Sequence, residues 1–271
     1  MTEQPLGLII AKGVKSTDER HANMRVNIAR NLPQFKRLPA HDRRIDICGF
    51  APSIAYTWPE IAGDVLTISG AHGLLLSHGI IPRYHVEVDP RDDKTPYITP
   101  PHPDCEYLLA SVCHPAMFDK VQGFRCTQWH SYNTSPDVDF AADYLDAGTE
   151  LVLAGSTAGL FSLVLAHMMG YRDIHVHGMD SSNKSEDERH AGPHYGKKQD
   201  AVKIRVGENG GEFVTSMQMV SQAREFFAVI DRLPDTQITV HGHGLLQAMI
   251  PFEQAMKARP FLTTYQMKEA A

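Results

Sequence analysis

The segment from His175 to His194 concentrates side chains suited to proton transfer. The run His175–Ser182 ends in an aspartate and two serines, and a loop carrying two further histidines follows it. Imidazole and carboxylate groups can take a proton from an acceptor hydroxyl or stabilise a departing phosphate. The candidate catalytic residues in this segment are Asp180, His190 and His194, and the candidate ligand-binding residues are Gly178, Ser181 and Ser182.

The same histidines also fit a metal site. His175 and His177 alternate along one strand face, and His190 and His194 have the i, i+4 spacing of helical zinc ligands. A glycine and a proline lie between the second pair and disfavour a helix there. A zinc site therefore stays open as the less favoured interpretation.

A further acidic residue, Asp89, ends an apolar run and is followed by Pro90 and Arg91. A carboxylate at a strand end can bind ribose hydroxyls, hold Mg²⁺ through water, act as a base or cap the following turn. We predict Asp89 as a fourth catalytic candidate and Arg91 as a ligand-binding residue. The sequence does not identify a cofactor; if the reaction uses Mg²⁺, Asp89 and Asp180 are the residues to hold it.

Small and hydroxyl residues follow several other apolar runs. The segments Gly49–Ser53 and Gly155–Gly159 each precede a helical pattern, so that backbone N–H groups there can approach a phosphate. The segment Ser69–Gly73 also precedes a helical pattern, and its two glycines can let a base or ribose approach the backbone. Helix capping and tight turns would explain the same residue types without a ligand. The candidate ligand-binding residues in these loops, and in the loop after the apolar run 107–112, are Gly49, Ala51, Pro52, Ser53, Gly70, Ala71, His114, Gly155, Ser156 and Thr157.

Seven short apolar runs precede these loops and must position them. Helical patterns alternate with the runs, the clearest being Ser156–Met169 and Ser216–Arg232. This alternation predicts an α/β fold with a largely parallel sheet and flanking helices, in which ligands bind at the carboxyl ends of the strands. The long polar segment 182–211 predicts a functional lid or a disordered loop. The predicted strands are 45–48, 65–69, 84–88, 107–112, 151–154, 174–177 and 238–240.

Composition sets outer limits on the class of protein. The chain has 271 residues, 42% of them hydrophobic, and a formal net charge of -6, which argues against a surface that binds nucleic acid throughout. The pair Lys197–Lys198 is the centre of one local basic spot. Four separated cysteines predict reduced, mostly buried thiols. We expect no membrane span, and the acidic residue near the N-terminus is unlike a signal peptide, which predicts a cytoplasmic location.

Taken together, the strand-end segments resemble the MptE-like family, which includes archaeal 6-hydroxymethylpterin pyrophosphokinases and the central domain of bacterial motility-associated (Maf) glycosyltransferases. The resemblance implies a Rossmann-like domain over residues 45–250, related to bacterial sialyltransferases, with an N-terminal extension (1–44) and a C-terminal tail (251–271). The later stretches are similar to bacterial and phage members. The segments that carry the resemblance are Gly49–Ser53, Gly79–Asp89, Gly155–Gly159, Gly170–Ser182, Phe213–Phe226 and Val240–Gly244.

The resemblance implies a transferase that acts on a nucleotide or nucleotide-activated donor. Two motifs of the pyrophosphokinase branch, H-A-H-G-D-N and G-G-F-x-D-G-D-R, do not occur, and Ala154–Gly159 stands in place of the second. This favours a glycosyltransferase using a nucleotide-sugar, such as a CMP-linked acidic sugar, over a Mg²⁺-dependent pyrophosphokinase. A nucleotide-binding protein without catalysis is the third alternative. The acceptor is open: a glycan, a protein, a lipid or a modified DNA base.

Overall fold

A nine-stranded parallel sheet dominates the computed structural model, which describes residues 15–132, 135–185, 188, 190–192, 201–207 and 210–265. The helices are α1 (Thr17–Ile28), α2 (Ile54–Thr57), α3 (Ala71–Ser77), α4 (Pro115–Lys120), α5 (Ser135–Tyr144), α6 (Ala158–Met168), α7 (Met217–Ile230) and α8 (Leu245–Met256). The strands are β1 (His41–Cys48), β2 (Asp64–Ile68), β3 (Tyr84–Glu87), β4 (Glu106–Ala110), β5 (Arg125–Ser131), β6 (Leu151–Val152), β7 (Tyr171–His177), β8 (Val202–Arg205), β9 (Glu212–Thr215), β10 (Gln237–His241) and β11 (Leu262–Tyr265). Short 3₁₀ helices span Trp58–Glu60 and Asp92–Tyr97.

The strand order explains where a ligand can bind. The sheet runs β11-β10-β7-β1-β2-β3-β4-β5-β6, and β8 and β9 form a separate antiparallel pair. From β1 the chain builds outward to β6, then returns to place β7 on the other side of β1. The order reverses between β1 and β7, and ligands of open parallel sheets bind outside the carboxyl ends at such a point. The predicted α/β, Rossmann-like architecture is confirmed.

The two faces of the sheet differ in polarity because successive strand residues point to opposite sides. Ile45 and Ile47 of β1 face the main apolar core, where α6 packs across β7, β1, β2 and β3. Asp46 and Cys48 face the opposite side, where Cys48 joins a smaller apolar cluster with α2 and α3. This second face carries buried polar residues, a feature that shapes the site described below.

All seven predicted strands are present, and four strands were missed. The missed strands β5, β8, β9 and β11 are short or rich in polar residues; β11, at the edge of the sheet, buries only Leu262. The predicted domain boundaries at 44 and 250 fall inside β1 and α8, and Met24 of α1 lies in the main core. Of the predicted polar segment 182–211, residues 202–205 form β8, and Lys197–Lys198 lie outside the described residues.

The described residues also bear on two composition-based expectations. All four cysteines are free, and three of them are buried. None of the helices in the described ranges has both the length and the apolar composition that crossing a bilayer requires.

Candidate functional site

A cleft of about 380 Å³ opens at the carboxyl ends of β1, β2, β3 and β7, at the reversal of strand order. The N-terminus of α6 and one side of α7 complete its walls. Most of the residues predicted from strand ends converge here, although the segments that carry them are far apart in the chain. The predicted residues that line the cleft are Gly49, Ala51, Asp89, Arg91, Ser156, Thr157, Gly178, Asp180, Ser181, Ser182 and His190.

Six other predicted residues do not line the cleft. Gly70 packs against the ring of Phe50, and Ala71 is fully buried in the small apolar cluster. The His114 side chain caps α4 by accepting a hydrogen bond from the N–H of Ala116 at 3.3 Å. Gly70, Ala71 and His114 therefore have structural roles outside the lining of the cleft. Pro52, Ser53 and Gly155 also lie outside the lining, and His194 lies outside the described residues.

Two glycines form the floor of the cleft. The loops after β1 and β7 touch through Gly49 and Gly178, where the N–H of Ala51 donates to the carbonyl of Gly178 at 3.0 Å. A Cβ atom on either glycine would overlap the carbonyl oxygen of the other, and Gly178 has a φ of 62°. Only glycine fits both requirements at Gly178.

Asp180 holds three loops together beside this floor. One of its carboxylate oxygens accepts the backbone N–H of Ser53 at 2.8 Å, and the other accepts the Ser53 hydroxyl. Its own carbonyl accepts the N–H of Leu246 at the start of α8, at 3.0 Å. Burial raises the pKa of Asp180 to about 6, against the opposing effect of the Ser53 hydrogen bonds. The side chain is therefore fixed in place and titrates near neutral pH.

Asp89 and Arg91 form a closed ion pair in the wall. Arg91 donates from Nε to one carboxylate oxygen at 2.8 Å and from a terminal nitrogen to the other at 2.5 Å. Its backbone N–H adds a third bond to Asp89 at 3.0 Å. The pair positions the guanidinium at the cleft and occupies both carboxylate oxygens of Asp89.

Glu87 and Lys94 line the cleft but were missed as site residues. Glu87 is the last residue of β3 and is 1% exposed, and burial, assisted by nearby Asp89, raises its pKa to about 8. Lys94 is 5% exposed, and its ammonium lies 5.2 Å from the ring centre of Tyr97, with a pKa lowered by burial. In the sequence, Glu87 is visible as a polar residue that interrupts an apolar run. The loop around Lys94 has no sequence pattern that marks a site residue.

The raised pKa of Glu87 predicts a pH-dependent stability. Its folded value of about 8 exceeds the ordinary value of 4.5, so the stabilising contribution is complete below about pH 4.5 and is lost as the pH rises through 8. We expect the free energy of unfolding of Glu87→Gln, relative to wild type, to rise by ~4 kcal/mol between about pH 5 and about pH 9. Urea denaturation across this range measures the difference; a constant offset would contradict the titration of Glu87.

The N-terminus of α6 points into the cleft. Thr157, not Ser156, is its N-cap: the threonine hydroxyl accepts the N–H of Leu160 at 3.3 Å, whereas the N–H of Ser156 donates to Glu225 at 2.8 Å. The helix predicted over Ser156–Met169 therefore begins at Ala158, with Thr157 as its cap. The first-turn residues Ala158 and Gly159 also line the cleft, and their N–H groups have no carbonyl within the helix to bond. This end of the helix suits an anion.

The cap assignment gives a direct test. We expect Thr157→Ala to lower the free energy of unfolding by ~1 kcal/mol because the N–H of Leu160 loses its acceptor. Ser156→Ala is the matched control and should change it by less than about 0.5 kcal/mol, since the exposed Ser156 side chain caps nothing. Chemical denaturation compares the two variants, and a larger loss in the Ser156 variant would reverse the assignment.

An aromatic group stands at the mouth of the cleft. The ring of Phe50 is stacked with that of His190 at 5.7 Å and meets Tyr97 edge-on at 6.1 Å. Gln218 and Gln222 of α7 also line the cleft and add amide groups to it. Flat rings beside amides are suited to a planar, hydrogen-bonding group such as a nucleobase.

The other two histidines of the predicted cluster lie on the polar face of the sheet, not in the cleft. His175 contacts His241 through ring nitrogens 2.8 Å apart, and His177 contacts Asp46 at 3.0 Å. They therefore do not join His190 in one site. Within the described ranges no three His, Cys, Asp or Glu side chains are arranged to hold a metal ion.

The Asp89 carboxylate proposed for Mg²⁺ does not fit that role as it stands, because the Arg91 guanidinium binds both of its oxygens. Hard cations need carboxylate oxygens that are free to coordinate. Each oxygen of Asp180 accepts one hydrogen bond from Ser53 and keeps a second lone pair. The two positions therefore do not offer a pair of free carboxylates to the ion.

Comparisons with known proteins agree with this architecture. A family model described as 6-hydroxymethylpterin diphosphokinase MptE-like matches residues 18–186. Among solved structures, the chain is similar to the Maf glycosyltransferase from Magnetospirillum magneticum AMB-1, with a TM-score of 0.58 and 15% identity over 82% of this chain and 36% of that one. This chain thus spans about a third of that protein, and the likeness shows a shared fold. No curated protein matches the sequence.

Proposed function

The chain belongs to the MptE-like family, and from that premise we propose that it is a transferase that binds a nucleotide-bearing donor in the cleft at the strand ends. The more specific proposal is a glycosyltransferase that uses a nucleotide-sugar.

One observation carries it: several groups that favour a phosphate line one cleft. The free first-turn N–H groups of α6, the guanidinium of Arg91 and the ammonium of Lys94 all lie in its walls, at the reversal of strand order. The stacked Phe50 and His190 rings offer a place for the base. A donor bound this way presents its sugar–phosphate bond near Asp180.

The cleft also holds the acid–base groups that glycosyl transfer needs. Asp180, with a pKa of about 6, is largely ionised at neutral pH and can accept the proton of an acceptor hydroxyl. The acceptor oxygen then bonds to the anomeric carbon, and the bond from that carbon to the phosphate oxygen breaks. The departing nucleotide keeps the electron pair, and the α6 N-terminus and Lys94 offset its charge. His190 is the alternative proton acceptor.

Diphosphate transfer from ATP is the second candidate, favoured by the description of the matching family model. It ranks behind glycosyl transfer because such a reaction relies on Mg²⁺ to bridge the phosphates, and the carboxylate of Asp89 is held on both oxygens by the Arg91 guanidinium. It predicts that Mg²⁺ is required for ATP to bind, and that AMP is released from ATP when a pterin is offered.

Ligand-linked stabilisation tests the proposal. CMP, UDP, GDP and ATP are each tested with and without Mg²⁺. We expect one of the mono- or diphosphates CMP, UDP and GDP to raise the Tm by a few degrees when it is present at about a hundred times its Kd. Lys94→Met should reduce that shift, whereas Lys120→Met, which removes a lysine that bonds Thr99 outside the cleft, should not. Nucleotide-sugar hydrolysis without acceptor would support glycosyl transfer. No shift with any nucleotide would contradict both catalytic proposals.

A further inference from the structure

Glu87 occupies a position in the cleft that the reaction outlined above does not use. The residue is 1% exposed yet lines the cleft, and its Oε1 atom makes no hydrogen bond within the described residues; the ring Nε2 of His85, 3.3 Å away, is likewise unbonded. A buried ionised carboxylate with an unbonded oxygen is strongly disfavoured. A neutral carboxylic acid relieves this cost, and its O–H can donate either to the ring nitrogen of His85 or to a ligand in the cleft.

The groups around Glu87 do not supply a compensating positive charge. His85 Nε2 lies 3.3 Å from Oε1, but full burial lowers the pKa of His85 to about 3 and keeps it neutral. Asp89 adds negative charge in the next loop, and its own partner is Arg91. Lys94 attracts the carboxylate only at long range, since no ion pair joins the two among the described contacts.

Two further groups complete the surroundings of Glu87. The backbone of Ser69, at the end of β2, hydrogen-bonds the carboxyl group, and the buried thiol of Cys113 lies near it. Burial raises the pKa of Cys113 well above its ordinary value, so the thiol stays neutral as well. Each of these described groups is therefore neutral, negative or distant.

We propose that Glu87 is the neutral hydrogen-bond donor of the cleft and that it donates to an anionic oxygen of the donor's phosphate. This inference rests on the proposed function and names the contact that the phosphate makes at the end of β3. The placement supports it, because Glu87 at the end of β3 and the N-terminus of α6 line the same cleft from the two faces of the sheet. A phosphate there would receive backbone N–H groups from α6 and the carboxyl O–H from Glu87. An anionic oxygen has no proton of its own, so it requires a donor at this position.

Substitutions that separate donor capacity from charge test the inference. Gln keeps the shape and a donor, whereas Leu keeps approximate volume and removes the donor. Binding of inorganic diphosphate and of CMP is measured by calorimetry for wild type, Glu87→Gln and Glu87→Leu, with Glu106→Gln as control. Glu106 bonds Thr127 outside the cleft. We expect Gln within about threefold of wild type and Leu weakened about tenfold or more.

Equal weakening in Glu87→Gln and Glu87→Leu would overturn the role of Glu87, because it would mean that a charged carboxylate is needed. Wild-type binding by Glu87→Leu would overturn it as well, and so would failure of the wild-type protein to bind diphosphate and CMP. The Tm of each variant is measured, and Glu87→Met replaces Glu87→Leu if the latter does not fold. Transfer activity is assayed separately. The expected binding pattern without any transfer would contradict only the proposed function. Transfer together with one of the overturning binding patterns of the variants would contradict only the role proposed for Glu87.

Discussion

Replacing Gly178 with alanine is expected to lower the free energy of unfolding by ~3 kcal/mol or more. The new Cβ would overlap the carbonyl oxygen of Gly49, in the loop after β1, and would also approach Ile54. The φ of 62° adds the strain that a side chain suffers in the left-handed region. Relief requires the ends of β1 and β7 to separate, which would displace the cleft floor and abolish nucleotide binding as well.

Two other glycines separate the causes of this loss. Gly79 has a φ of 76° with open space around it, so Gly79→Ala measures backbone strain alone, about 1 kcal/mol. Gly159 lies in α6, and a Cβ there meets only the end of the flexible Met179 side chain, so Gly159→Ala should be tolerated. Chemical denaturation compares all three variants. A loss in Gly178→Ala no greater than that in Gly79→Ala would show that the loops do not need to touch.

The sequence was sufficient to predict the strands whose apolar residues are contiguous and the loops that follow them. It did not show that Gly49 and Gly178, 129 positions apart, would be in contact, because that contact depends on β7 returning beside β1. Residue type alone made both glycines candidates. The strand order that makes them neighbours is a property of tertiary packing.

Glu87 was missed in the site for a physical reason. With His85, it points to the polar face of the sheet, where the apolar pattern of β3 is interrupted. In the sequence, such an interruption resembles a solvent-exposed position. Only the packing of α3 on β2, with the 3₁₀ helix Asp92–Tyr97 against α3, turns this face into a buried one. Burial is what changes the protonation of Glu87, so its role was not accessible from spacing.

The start of α6 also differs from the start that the sequence predicted, at Ser156. Two hydroxyl residues precede the helix, and propensity does not distinguish which of them caps it. Glu225 of α7 accepts the N–H of Ser156, which leaves Thr157 to cap. A residue from another helix therefore decides the boundary, and helix ends are where sequence patterns are least informative.

Asp180→Asn is expected to reduce transfer by about a hundredfold or more while leaving the fold intact. Asparagine can still accept the backbone N–H of Ser53, and its amide can donate to the Ser53 hydroxyl, but it cannot take a proton from an acceptor. Asp180→Ala instead leaves the buried N–H of Ser53 without an acceptor and should also lower the free energy of unfolding by ~2 kcal/mol. Denaturation and turnover measured on both variants separate positioning from proton transfer.

The pH profile identifies Asp180 as the base more directly than either substitution. Only the ionised carboxylate accepts a proton, so wild-type turnover should rise with pH through about 6 and then level off. Ser53→Ala removes a hydrogen bond that lowers the pKa of Asp180, so the same rise should move to higher pH. A structural role for Asp180 would change the amplitude of the profile but not its position. An unmoved profile in Ser53→Ala, or wild-type turnover in Asp180→Asn, would exclude Asp180 and leave His190 as the group that accepts the proton.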